Sequence, residues 1–125
     1  MSEQAYQRII KAVEAVGECR RGFWDLNLSG THYHIEGCGC PMAAVLNNTP
    51  NRPGTTILEE AALVLGVSFD WADGFIDGFD GSDSYRSSLD SLAGFEAGDR
   101  AYKELQSKGL ISPFEPRTKE NTYEP

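Results

Sequence analysis

Apolar and polar positions follow two different periods along this chain. Tyr6, Ile9, Ile10, Val13 and Val16 fall at the spacing of one helical face, with Arg8, Lys11, Glu14 and Glu18 elsewhere, so the N-terminal segment reads as an amphipathic helix ending near Gly17. The period then becomes two. Trp24, Leu26 and Leu28 alternate with Phe23, Asp25 and Asn27, and Ser29-Gly30 is a turn signal. His32 and His34 then alternate with Thr31, Tyr33 and Ile35, which together reads as a β-hairpin. Gly37 and Gly39 permit positive φ, and Pro41 suits a helical first turn because its missing N–H would be unpaired there. A short helix over 41–46 is expected, then a loop over 47–54.

Two stronger helical signals follow. In "TTILEEAALVLG", Thr56 and Glu59 have capping-box spacing and Gly66 is a stop. "SFDWADGFIDGFDG" reads as a helix capped by Ser68 or Asp70. At about 100° per residue, Asp70, Asp73, Asp77 and Asp80 fall within about 80°. Trp71, Phe75, Ile76 and Phe79 fall opposite. This predicts a carboxylate stripe facing outward and an aromatic core face, with fraying after Phe79 because Gly74, Gly78 and Gly81 weaken the helix. A last helical region spans about 84–107, with a break expected near Gly94. Its rows of Ala93, Ala97, Ala101 and of Gly94, Gly98 allow close helix approach, within the chain or in a homodimer. Gly109 closes it. The fold expected is α+β and mostly helical: an N-terminal helix, one hairpin, then three or four packed helices. Residues 1–112 form one globular domain, and 113–125 an extended or flexible tail rich in proline and charge.

Composition narrows the function classes. A chain of 125 residues sits near the commonest domain size. Its apolar runs are too short for a membrane span. The N-terminus has neither the basic nor the apolar region of a signal peptide, and an odd count of three cysteines argues against a disulfide framework. A reducing cytoplasm is the expected setting. The net charge of −8 is unevenly spread: residues 1–52 are neutral, while residues 59–99 hold ten acids against one base, Arg86. Such a field repels phosphate backbones and membrane surfaces, so direct nucleic-acid or membrane binding is not expected and a basic protein surface is the partner it suits. A solvated acidic face serving solubility is the plainer reading.

Candidate chemistry concentrates in "THYHIEGCGCPMAAVLNN". His32, His34, Cys38 and Cys40 are the residue types of a His₂Cys₂ zinc site. The H-x-H and C-x-C spacings differ from the usual zinc knuckle, and the competing reading is two small buried cysteines in a crowded turn. Cys40, just before Pro41, stands where helix N–H groups stabilise a thiolate, and with His34 it would make a Cys/His nucleophile. No orienting group or oxyanion hole is legible beside it. A Cys38–Cys40 redox pair would need a strained C-x-C disulfide, and Cys19 reads as structural. Asp77, Asp80 and Asp83 supply oxygens for a cation, but a loop counted from Asp80 puts Tyr85 sixth and Ser91 twelfth, where an EF-hand needs glycine and glutamate. There is no phosphate loop.

"GCGCPMAAVLN", "GFIDGFDG" and "AGFEAGDRAYKEL", spread over about half the chain, together resemble a loose pattern of small bacterial and phage proteins: C-P-x-x-A-V, then G-F-D-G, then a G-x-x-x-G helix. The resemblance implies a small accessory protein and assigns no residue a catalytic role. The leading expectation is a non-enzymatic interaction protein whose face of Asp70, Asp73, Asp77 and Asp80 docks a basic surface. A phage or mobile-element inhibitor of a nucleic-acid-handling protein would fit, since an acidic stripe can occupy a groove meant for phosphates. A zinc-stabilised module on His32, His34, Cys38 and Cys40, or a small thiol enzyme using Cys40, are the alternatives.

Overall fold

The computed structural model describes residues 2–19, 21, 26–29, 32–35, 40–50, 54, 56–82 and 88–111. Within them the protein is mostly helical: α1 (Ser2–Val16), α2 (Pro41–Leu46), α3 (Ile57–Leu65), α4 (Phe69–Asp80) and α5 (Leu89–Ser107). Two four-residue strands, β1 (Leu26–Ser29) and β2 (His32–Ile35), pair antiparallel with Leu26 opposite Ile35 and Ser29 opposite His32. Thr49 and Asn48 exchange backbone bonds with Tyr33 at 2.9 and 2.7 Å along the other side of β2. This ladder is too small to form a layer, so helix packing organises the chain: the mostly helical part of the expected fold holds, and the α+β label does not describe it. Phe23, Trp24, Asp25, Gly30, Thr31 and the 113–125 tail lie outside the described residues.

The ends of the helices follow local chemistry. Thr56 and Glu59 form the reciprocal capping box, and Gly66 ends α3 at φ 73°. Ser68, rather than Asp70, caps α4 by accepting from Trp71 N–H. The helix continues past Phe79 to Asp80 and stops on Gly81 at φ 75°, so the fraying expected there is absent.

The centre of the fold is α2, whose Pro41, Met42, Ala43, Ala44 and Leu46 are all buried. Tyr6, Ile9, Ile10 and Val13 of α1 and Phe75 and Phe79 of α4 complete the core with it. Ile76, expected opposite the aspartates, is only half-buried, and at about 100° per residue it falls nearer Asp80 than Phe79, between the aromatic and carboxylate sides.

The largest correction concerns α5. It starts at Leu89, capped by Ser88, and runs unbroken through Gly94. Residues 83–87 lie outside the described set. Gly94 does not break the helix because it is a packing site. A Cβ built there would stand 2.1 Å from the Trp71 carbonyl oxygen, and one on Gly98 2.1 Å from that of Phe75. Reciprocally, a Cβ on Gly74 would meet the Ser91 oxygen at 2.3 Å and one on Gly78 the Phe95 oxygen at 2.0 Å. Two glycine rows at i, i+4 thus face each other and let backbone touch backbone. Trp71 lies by Gly94, Phe75 by Gly98, and Phe79 edge-on to Tyr102 with ring centroids 5.7 Å apart. The contacts ascend together, so α4 and α5 run parallel. The Ser88 hydroxyl donates to Asp70 Oδ2 at 3.2 Å at their shared N-terminal end.

Basic residues of the N-terminal region close the helices of the acidic one. Neither α3 nor α4 has a base in its last turn. Arg8 of α1 donates to the Val64 carbonyl at 2.6 Å, and Arg21 donates to the Phe79 carbonyl at 2.7 Å while stacking 3.5 Å over the Tyr102 ring. Each satisfies an orphan carbonyl and the negative end of a helix dipole. Between α1 and α5, Tyr6 donates its hydroxyl to Glu104 at 2.7 Å, Arg100 pairs with Glu3, and Lys108 bridges Glu14 and Glu104. Cys19 N–H donates to the Leu110 carbonyl at 2.8 Å, which ties the end of α1 to the end of α5.

Two tests follow from this packing. Gly98→Ala should lower stability in urea denaturation by about 1–3 kcal/mol or more, because the clash outweighs the roughly 1 kcal/mol of added helix propensity. Gly66→Ala, with open space around it, should cost only the left-handed penalty of about 1–2 kcal/mol. The Tyr6 hydroxyl and then Lys108 hold the Glu104 carboxyl below its usual 4.5. A depressed carboxyl pKa stabilises the fold above the unfolded value and loses that contribution as pH falls through the folded one. Thermal melts between pH 6 and pH 3 (roughly spanning that carboxylate range) should therefore show a smaller acid-side loss in Glu104→Gln than in the wild type.

Candidate functional site

Of the four residues of the histidine–cysteine reading, only His32 and Cys40 have described side chains. His32 lies exposed on β2, where Tyr33 turns inward. Cys38 lies outside the described residues, and His34 is described by its backbone alone. No group of three or more metal-ligating side chains occurs among the described residues.

Cys40 occupies the N-cap of α2, as its place before Pro41 suggested, yet the expected thiolate does not follow. The residue is 2% exposed, and burial pushes its thiol up to about 12, against the lowering effect of the Ala43 and Met42 N–H groups. Asp80 raises it further. Desolvation wins because the helix has only six residues and the sulfur sits inside the core. The thiol is therefore protonated at neutral pH. Cys19 is likewise buried.

The four aspartates do share one side of α4, with differing exposure. Asp70 is exposed, while Asp73, Asp77 and Asp80 are half-buried and each is engaged with a neighbouring group. Asp83, the third oxygen donor of the cation reading, lies outside the described residues.

The structure adds residues that periodicity passed over. Leu63 (56% exposed), Phe69 (48%), Leu89 (84%) and Leu92 (44%) are large apolar side chains left in solvent. All four belong to the acidic 59–99 segment. Leu63 and Phe69 line an open groove of about 400 Å³ between α3 and the start of α4, together with Gly54, Glu59, Ala62 and Val67. Phe69 was within reach of the angular argument: it falls in the same sector as Asp73 and Asp80, away from Trp71, Phe75 and Phe79. A smaller cleft of about 240 Å³ lies where α1, α4 and α5 meet, between Glu3, Tyr6, Trp71, Glu96 and Arg100. There Arg100 already stacks 3.9 Å over Tyr6 and pairs with Glu3, filling both its charge and its ring partners.

Comparison of the chain with protein-family models, curated proteins and solved structures finds no match. No helix among the described residues is long and apolar enough to cross a membrane.

The Cys40 environment has a direct chemical consequence. Peptide mapping after brief iodoacetamide treatment near neutral pH should find Cys40 unmodified in the native protein and fully modified in urea. Rapid native labelling would show that the thiol is neither buried nor protonated.

Proposed function

We propose that the protein is a small non-enzymatic interaction protein, whose acidic surface around Asp70, Asp73, Asp77 and Asp80 docks a basic surface of another protein. One observation carries this reading: every large apolar side chain left exposed among the described residues lies in the segment with ten acids and one base. Exposed apolar groups next to a charged field are the composition of a docking surface, where the apolar part supplies affinity and the charge supplies rate and selectivity. A face serving solubility alone has no need of Leu89 at 84% exposure. Inhibition of a nucleic-acid-handling protein, by filling its phosphate groove with carboxylates, is the specific role this chemistry suits. The burial of Cys40 weighs against the thiol-enzyme alternative.

The test is affinity isolation from the producing cells with wild-type protein and with D70N/D73N/D77N/D80N, after circular dichroism has matched their folds. The wild type should retain a partner with a basic face. Retention should fall by about tenfold in the variant, and also when salt rises from about 0.01 to about 0.15 M, shortening the screening length from about 30 to about 8 Å. Equal retention under all these conditions overturns the proposal.

A further inference from the structure

We propose that the groove between α3 and the first turn of α4, lined by Leu63, Val67, Phe69 and Glu59, receives the apolar side of a basic amphipathic helix from a partner protein. The inference rests on the acidic-docking reading and names the chemistry of its occupant.

The groove differs from the rest of the surface. Phe69 is the first residue of α4 and Leu63 stands near the end of α3, so the turn at Gly66 brings two large side chains from separate helices to one opening. Both remain about half exposed, although the core sequesters the other aromatic residues of α4. The opening holds about 400 Å³ and is open to solvent rather than enclosed. That shape suits side chains offered by a partner better than an enclosed small molecule, which a pocket normally surrounds on most sides.

Charge complementarity selects the occupant. At about 100° per residue, Phe69, Asp73, Ile76 and Asp80 fall within about 60° on α4, flanked by Asp70 and Asp77. The apolar groove therefore opens onto the carboxylate side of the same helix. A helix with apolar residues at i, i+3, i+4 and i+7 can seat them in the groove while lysines or arginines beside them meet Glu59 and the adjoining carboxylate side of α4. A second copy of this chain is disfavoured. An isologous contact would set the acidic patch around Glu59 against the same patch of the second copy, and like charges across an interface are repulsive. The same carboxylates disfavour an anionic membrane surface.

The probe is a fluorescein-labelled helix of leucine and lysine with leucines on one side, followed by fluorescence anisotropy. Its controls are a peptide of the same residues in scrambled order and a leucine–glutamate peptide in the original order. The amphipathic basic peptide should bind wild-type protein about tenfold tighter than the scrambled one, or about 1.4 kcal/mol. L63S/F69S, which changes no charge and only exposed side chains, should erase that preference while its melting temperature matches the wild type. Equal binding of the amphipathic and scrambled peptides, or a preference that survives in L63S/F69S, overturns the groove assignment. So does a wild-type dimer in sedimentation velocity that L63S/F69S dissociates, since a second copy then fills the groove. If both basic peptides bind equally and D70N/D73N/D77N/D80N loses both, the groove assignment fails while acidic docking stands. If neither basic peptide binds better than the leucine–glutamate one, acidic docking fails together with the groove.

Discussion

The contact between the backbones of α4 and α5 sets the geometry of this protein. Gly74 and Gly78 on one helix and Gly94 and Gly98 on the other leave no side chain between them, and each Cα–H points at a carbonyl oxygen of the neighbouring helix. Such approaches gain dispersion along the helices and bring in weak Cα–H···O contacts. They also fix register, because a shift by one residue would bring a side chain against a backbone. The remaining elements inherit that register. Trp71, Phe75 and Phe79 are ordered along α4, with Trp71 and Phe75 stacked at 5.4 Å and Phe75 and Phe79 at 6.5 Å. Phe75 and Phe79 project from this row into the core that contains α2.

The parallel sense of the pair also distributes charge. Both helices start at one end, where Asp70 and Asp90 occupy their first turns, a favourable place for carboxylates at a helix N-terminus. The opposite end of α4 finds its cation in Arg21, and the end of α3 finds its own in Arg8. The uneven charge of the chain is thus partly balanced in space: two bases from the neutral N-terminal stretch are committed to carbonyl oxygens of the acidic one. Their work is structural, and the carboxylates at the shared N-terminal end keep their character at the surface.

That arrangement makes docking the most economical reading of the exposed apolar residues. Phe69 stands beside Asp70 where the chain leaves α3, with Leu63 across the groove. The buried cysteine at the start of α2 contributes packing instead of chemistry, since desolvation there exceeds what a six-residue helix can return through its N–H groups.

The sequence by itself determined the elements whose signals are local. The Thr56–Glu59 box, the stops at Gly66 and Gly81, the opening of α2 at Pro41 and the side of α4 carrying Trp71, Phe75 and Phe79 all depend on residues within a turn or two of each other. The candidate site was legible only in part. The shared side of the four aspartates follows from helical geometry, while their differing exposure depends on what packs beside α4. Tertiary structure alone decided whether the Gly94 and Gly98 row would break α5, serve a dimer or meet α4. A glycine reads locally as a helix weakener, and its value as a contact exists only once a second helix is present. The same holds for Cys40. Its place before Pro41 suggests an ionised thiol, and burial by residues remote in the chain reverses the sign of the effect. Whether an apolar residue is buried or left in solvent is likewise set by neighbours the local pattern does not name, which is why Leu63 became visible only in three dimensions, while the outward sector of Phe69 could be read from helical angles.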